Sequence, residues 1–313
     1  MTSTEIPAVA FDEAANLTDA VAPRDDALPR RRPARAHYFM VLPPVILYTI
    51  FVTWPAIQGI FYSFTNYAGF GSWHFVGLAN YRAMFSDPEL AHAYWFTFAF
   101  AILSTLLSQI FALAIAIGLN SRIKFKNGFQ TIFFLPMVLA GLVVSYSFKY
   151  IFNTTLPYII GWGPIGDGLL VNASTAWIPI VIVATWIGAP AAIIIYLAGL
   201  ASVGTDVYEA SEIDGAKPWK TFRYITFPLL AGFVVINTVL GLKGALNVYD
   251  LVIGLTGGGP GNATTVVSQT IIGGLNTGEF AYSAAKAVVF AVVTILISIL
   301  QLAIIRRRGQ GGL

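Results

Sequence analysis

The stretch Thr205-Asp206-Val207-Tyr208-Glu209-Ala210-Ser211-Glu212-Ile213-Asp214-Gly215-Ala216-Lys217-Pro218-Trp219-Lys220-Thr221-Phe222-Arg223-Tyr224-Ile225-Thr226-Phe227-Pro228 interrupts an otherwise apolar sequence. Asp206, with Glu209 three residues on, has the spacing of a capping box, which predicts a short helix running to about Ile213. Gly215 suits the left-handed position that closes such a helix, and Pro218 suits the first turn of a second one. Phe222 and Ile225 then share a face, and Pro228 opens the next apolar run. The result is a helix–turn–helix whose apolar face is too small to fold alone, so it requires a partner surface.

Outward from this stretch the chain is built for lipid. Of its 313 residues, 57% are hydrophobic and only 11% are charged, and mean hydropathy is +0.73. One water-soluble core of this size cannot hide that much apolar surface, which excludes a soluble enzyme and leaves an integral membrane protein. Six apolar runs are long enough to cross a bilayer, at roughly 38–64, 94–119, 129–152, 176–200, 228–252 and 284–305. At about 1.5 Å per residue each exceeds a hydrocarbon core of about 30 Å, and backbone groups in lipid must be satisfied internally, so each is expected as a helix. The fold class is therefore all-α integral membrane with six transmembrane helices.

Lys and Arg orient the bundle. Arg24, Arg30, Arg31, Arg32 and Arg35 precede the first run; Arg122, Lys124 and Lys126 follow the second; Lys217, Lys220 and Arg223 lie in the quoted loop; Arg306, Arg307 and Arg308 follow the last. Those fourteen of the chain's 18 basic residues fall on one side if there are six spans. The positive-inside rule places that side, and both termini, in the cytoplasm of a cell-membrane protein. Residues 1–36 hold Glu5, Asp12, Glu13, Asp19, Asp25 and Asp26 and no apolar core, so they are no signal peptide. They read as a disordered cytoplasmic tail ending in a basic anchor for lipid headgroups rather than for nucleic acid. The domain map is then tail 1–36, a six-helix permease domain 37–308 with its loop at 205–228, and a C-terminal tail 309–313.

The quoted loop closely resembles the EAA loop of binding-protein-dependent ABC importer permeases. That pattern is Glu-Ala-Ala, three residues, Gly, nine residues, Ile, one residue, Leu-Pro. Glu209-Ala210-Ser211, Gly215, Ile225 and Phe227-Pro228 keep its spacing, with Ser211 for the second Ala and Phe227 for Leu. Phe75-Val76-Gly77-Leu78-Ala79-Asn80-Tyr81 and Leu255-Thr256-Gly257-Gly258-Gly259-Pro260 are similar to segments of carbohydrate permeases of the maltose-permease-like type, first-permease branch. The resemblance covers about residues 38–306. It implies an ABC importer type I-like fold and a sugar permease in which Glu209, Ala210, Glu212, Asp214, Gly215, Ala216 and Phe222 couple to an ATPase. Glu209, Glu212 and Asp214 would make polar contacts there, while Ala210, Ile213 and Phe222 pack. Implied partners are a second permease subunit, an ABC ATPase dimer and an extracytoplasmic sugar-binding protein.

The residues present limit the chemistry. There is no cysteine and only three histidines, so no catalytic, metal or thiol constellation is expected. No Gly-x-x-x-x-Gly-Lys-Ser/Thr phosphate loop occurs, and Gly257-Gly258-Gly259-Pro260 reads as a flexible extracytoplasmic turn. ATP and Mg are thus expected on the partner ATPase, and the chain itself is expected to carry no cofactor and to be no enzyme. Polar groups inside the runs mark candidate substrate-pathway residues: Asn237, Asn247, Tyr249, Asp250, Tyr146 and Trp186. Asn237 could equally bond between helices, and Tyr146 and Trp186 could be packing or interface residues. Alternatives are an ABC permease for another solute, such as glycerol-3-phosphate, or a stand-alone secondary carrier.

Overall fold

A computed structural model describes residues 35–121 and 124–309. The 1–34 portion of the expected tail lies outside the described residues. Among those described, regular structure is helical, with one isolated antiparallel bridge between Thr65 and Phe75. Four helices are long and apolar enough to cross a membrane: Phe39–Tyr62, Pro88–Asn120, Trp177–Ala201 and Phe280–Ala303. Two bent pairs, Lys126–Val138 with Gly141–Ile160 and Pro218–Leu229 with Ala231–Leu246, bring the number to six if each pair is one span. The last helix runs on to Gly309, one residue into the expected C-terminal tail.

Among the described residues the chain divides into two compact units, one up to Pro55 and one from Ala56 onward. In the first, helix begins at Arg35, carries Pro43 and Pro44, and loosens into a π turn at Thr49–Thr53 just ahead of Pro55. The second unit repeats this device. A π turn at Ile151–Thr155 precedes Pro157, and another at Phe222–Thr226 precedes Pro228. Proline lacks an N–H and its ring crowds the carbonyl four residues back, and a locally wider turn relieves both. These three prolines therefore widen a helix instead of ending it. Pro228 stands within a helical run, not at the start of the fifth span as the sequence suggested.

Two of the expected straight helices are broken. The run at 129–152 stops at the 3₁₀ turn Leu135–Val138, which contains Pro136, and passes through extended Leu139 and Ala140. Helix restarts at Gly141, bent by 103°. The run at 228–252 bends by 66° at Leu230 and stops at Leu246. Asn247 ends it, its Nδ2 donating to the Lys243 carbonyl at 2.8 Å, and a six-residue helix, Asp250–Leu255, follows. At 16 residues, Ala231–Leu246 spans only about 24 Å, short of a full hydrocarbon core.

Packing in the second unit includes two large apolar clusters with a polar band between them. One gathers Phe100, Val144, Ile180, Val183 and Val252; the other gathers Ala112, Ala116, Ala189, Ile193 and Tyr196. Small residues let the Pro88–Asn120 and Trp177–Ala201 backbones approach closely, because lipid offers no hydrophobic drive for helix association. Between the clusters, the second span presents Ser104, Thr105 and Ser108, all buried. After the first span, Asn80 Nδ2 donates to the Ser63 and Thr65 carbonyls, both at 2.8 Å, and Tyr81 OH lies 2.6 Å from Ser63 Oγ. This is the structural work of the Phe75–Tyr81 segment.

Gly199 marks a close packing contact: a Cβ there would lie 2.8 Å from Leu230 Cδ2 and from the Phe233 ring. Gly199→Ala is expected to destabilise the protein by about 1–3 kcal/mol through overpacking. The measurement is the thermal unfolding midpoint in detergent. An unchanged midpoint would show that Leu230 and Phe233 yield freely.

Candidate functional site

The polar band encloses a cavity of about 500 Å³. Its walls come from the middle of the second span (Ser104, Thr105, Ser108, Gln109), the middle of the fourth (Ala184, Gly188, Ala191), the Ala231–Leu246 helix, and both helix breaks. Gly141, where the third span restarts, and Asn247, Tyr249 and Asp250, where the fifth stops, all line it. The breaks pack on each other. A Cβ on Gly141 would meet Asp250 Cβ at 3.7 Å, and Ser145 Oγ lies 2.6 Å from the Gly141 carbonyl and 3.4 Å from that of Asp250.

Four of the sequence-predicted pathway residues therefore share this cavity: Asn237, Asn247, Tyr249 and Asp250. Asn237 lines the cavity, and its Nδ2 donates across to the Ala192 carbonyl at 3.1 Å, the interhelical bond that was its alternative reading. Tyr146 and Trp186 are elsewhere. Tyr146 is exposed on the far side of its helix, and Trp186 packs its ring against Phe148 at 5.4 Å within an apolar cluster. Sequence reasoning missed the second-span wall. Its signal was there: Ser104, Thr105 and Ser108 recur at helical spacing in an otherwise apolar run, which puts them on one face. Gln109 is oriented by Tyr196, whose OH donates to Oε1 at 2.5 Å, so the Nε2 amide faces Gly241 on the opposite wall.

The polar loop folds much as its sequence indicates. Helix Thr205–Ile213 closes with Gly215 at φ +69°, the Gly215 amide donating to the Glu212 carbonyl and the Ala216 amide to that of Ser211, both at 3.0 Å. That pair of bonds is a Schellman turn. The capping box does not form. Gly204 occupies the cap position with no side-chain bond, so Asp206 is the second helical residue, where its charge still complements the helix dipole. Pro218 opens the second helix as expected. Ser211, standing where the resembling pattern has Ala, is buried and bonds to the Tyr208 carbonyl at 2.8 Å, with Thr221 Oγ1 3.4 Å away on the second helix.

Of the coupling candidates, Glu209, Ala210, Glu212, Asp214 and Gly215 are exposed, whereas Ala216 and Phe222 are half-buried. Glu212, Ala216 and Phe222 line a groove of about 510 Å³ between the loop and the ends of the second and fourth spans. Phe222 also packs against the Trp219 and Phe227 rings at 5.5 and 6.0 Å. Ile213 is 87% exposed, and Trp219 and Tyr224, which the sequence reading passed over, are 71% and 75% exposed. Three large apolar groups thus stand outward among Lys217, Lys220, Arg223 and the acidic residues.

With this loop and cavity in place, comparison with known proteins is decisive. Residues 109–310 match the family described as binding-protein-dependent transport system inner membrane component. The chain belongs to this family. Among relatives of this inner membrane component, the multiple sugar-binding transport system permease protein MsmF of Streptococcus mutans serotype c is 34% identical, over 83% of this chain and 91% of its own. The sn-glycerol-3-phosphate transport system permease protein UgpA of Agrobacterium fabrum is 32% identical, over 88% and 96%. A solved bacterial ABC transporter involved in import of the acidic polysaccharide alginate matches with TM-score 0.75 and 23% identity, over 87% of this chain and 95% of that one. That last likeness establishes the fold alone. The chain is thus a multi-pass transport permease.

Two further clusters lie at the other end of the bundle from the loop. The Leu255–Pro260 segment, expected as a flexible turn, is cross-tied. Gln269 Nε2 donates to the Gly257 carbonyl at 2.7 Å, and the fully buried Thr264 hydroxyl lies 2.8 Å from Thr256 Oγ1 and 2.7 Å from the Gly259 carbonyl. Asp87 caps the second span through the Leu90 amide (3.0 Å) and accepts from Tyr282 OH (2.9 Å), while Lys286 sits 4.2 Å over the Tyr282 ring. Burial alone would raise the Asp87 carboxyl, but the Leu90 amide, the Tyr282 hydroxyl and the Lys286 charge together hold it below its ordinary value. A depressed folded-state pKa contributes stability that is present above the unfolded carboxylate pKa and lost as pH falls through the folded one. Asp87→Asn is expected to lower the thermal midpoint at pH 7 and to flatten its acid dependence below about pH 4. An acid profile identical to the parent's would contradict the cluster's role.

Proposed function

We propose that this chain is one of two permease subunits of an ATP-driven importer that moves a sugar delivered by an extracytoplasmic binding protein. ATP and Mg are held by a separate ABC ATPase dimer, which grips the 205–228 loop. The observation that carries this reading is the loop itself. It is a stapled helical pair with Ile213, Trp219 and Tyr224 turned outward beside charged residues. In a segment too polar for lipid, such apolar groups mark a protein-docking surface. The Lys and Arg distribution supports a cytoplasmic loop and cytoplasmic termini. The sugar reading draws on the relative from Streptococcus mutans, whose name specifies sugar transport.

The mechanism is alternating access. Closure of the ATPase pair draws two coupling loops together. Glu209, Glu212 and Asp214 make polar contacts, Ala210 and Ile213 pack, and Phe222 transmits the push through its contacts with Trp219 and Phe227. The second loop helix runs directly into the Ala231–Leu246 helix that walls the cavity, so movement of the loop tilts that wall. A second reading, transport of glycerol-3-phosphate, is favoured by the Agrobacterium fabrum relative.

The test is reconstitution in liposomes with binding protein, second permease and ATPase. Uptake should require every component and fall to background without the ATPase. Gly215→Val, forcing a branched side chain to φ +69°, should cut solute moved per ATP hydrolysed at least fivefold while the complex still assembles. Concentrative uptake by this chain alone would overturn the reading. Uptake of glycerol-3-phosphate but no sugar would favour the second.

A further inference from the structure

We infer that the turn and short helix after the second span seat one anionic phospholipid. Lys124 and Lys126 take the headgroup phosphate, and the face formed by Phe125, Phe129 and Ile132 takes an acyl chain. The permease reading does not depend on this seat.

The second span ends at Asn120, and the helix Lys126–Phe134 leads the chain back toward the bundle, so the turn between them stands at the edge of the hydrocarbon. Phe125 is the residue just before that helix, held at φ +61° and 86% exposed. A bulky side chain in the left-handed region is an outlier, and a strained residue of this kind points to a role for its side chain. Gly128, Phe129 and Ile132 continue the same face at spacings of three and four residues. Phe129 is 46% and Ile132 62% exposed, and a Cβ on Gly128 would meet nothing within 4 Å. The face is therefore two aromatic rings and an isoleucine around a bare stretch of backbone, a dip of the kind an alkyl chain fills. The helix packs on the bundle through its other side. Phe133 lies 6.4 Å from the Phe111 ring, and Phe133 and Phe134 join the cluster around Ala112, Ala116 and Tyr196.

Charge selects the occupant. Lys124 is exposed and Lys126 half-buried, and Arg122 precedes them in sequence. No Asp or Glu occurs between Glu89 and Asp167, so the segment brings cations without local counter-charge. Lysines at a span end bury their stems in apolar surroundings and hold the ammonium at headgroup level. A protein partner on this face would have to bring carboxylates to the membrane boundary. A phospholipid carries its anion and its alkyl chains in one molecule, in the order in which the lysines and the apolar face are met going into the bilayer.

The experiment titrates the full chain, delipidated in mild detergent, with phosphatidylglycerol or phosphatidylcholine and reads bound lipid by native mass spectrometry. The chain should hold one phosphatidylglycerol at least fivefold more tightly than phosphatidylcholine. Lys124→Gln with Lys126→Gln should weaken phosphatidylglycerol about ten- to thirtyfold, at roughly fivefold per lysine, and leave phosphatidylcholine within about twofold. The same loss should appear on an Arg30→Gln, Arg31→Gln, Arg32→Gln background, which separates this seat from the N-terminal basic cluster. Phe125→Gly removes the ring and suits φ +61°, so it should weaken both lipids about threefold while the thermal midpoint holds or rises. Unchanged phosphatidylglycerol binding in the lysine variant or in Phe125→Gly would overturn the seat. Displacement of the lipid by millimolar inorganic phosphate would also overturn it. Ile132→p-benzoylphenylalanine, irradiated in native membranes, should yield adducts of phospholipid mass; adducts to a protein chain would give the face to that chain and contradict the proposal. Should the double lysine variant not fold, Phe125→Gly and the photoadduct carry the same test.

Discussion

No backbone N–H or C=O can be left facing lipid, and that constraint decides where this chain can interrupt its helices. Both major interruptions, at Leu139–Ala140 and at Asn247–Tyr249, lie against other protein segments and border one cavity. The two meet where a Cβ on Gly141 would lie 3.7 Å from Asp250 Cβ and where Ser145 Oγ lies 3.4 Å from the Asp250 carbonyl. The cavity they border carries a few polar groups on a mostly apolar lining, and apolar clusters flank it.

The polar loop obeys a different limit. It is too small to hold itself together by burial, so backbone and side-chain bonds do the work. The Schellman turn at Gly215 and the buried Ser211 hydroxyl pin its two helices, while Ile213 and Trp219 are left outside. A rigid pair of helices with an uncovered apolar face is suited to pass on a push. The π turn at Phe222–Thr226 and the bend at Leu230 lie between this loop and the helix that walls the cavity.

Much of this was legible in the residues. Run length and hydropathy marked what became four long helices and two bent pairs, Gly215 and Pro218 marked the turn, and Asn237 with the Asn247–Asp250 group marked residues that line the cavity. Other features were not. Pro228 and Pro136 look alike in sequence, yet one is absorbed by a π turn and the other joins a 103° break. Asp206 lost the cap because the helix starts at Thr205, two residues earlier than a cap at Asp206 would set it. Thr97 and Thr105 are the same residue type on the same helix, and only the structure separates the hydroxyl bonded to its own turn from the one buried without a partner. Tyr146 and Trp186 were grouped with the cavity by polarity, but the direction of a side chain around a helix does not follow from polarity.

Alternating access driven through the loop is the central claim, and the chain lends itself to a direct test because it contains no cysteine. Leu240 lines the cavity and is 55% exposed, so Leu240→Cys offers a single reactive thiol there. Its labelling by a membrane-impermeant maleimide from the extracytoplasmic side should be measured in the assembled importer, without nucleotide and after trapping with ATP and vanadate. The account expects labelling to accelerate at least several-fold in the trapped state. Equal rates in the two states would contradict it.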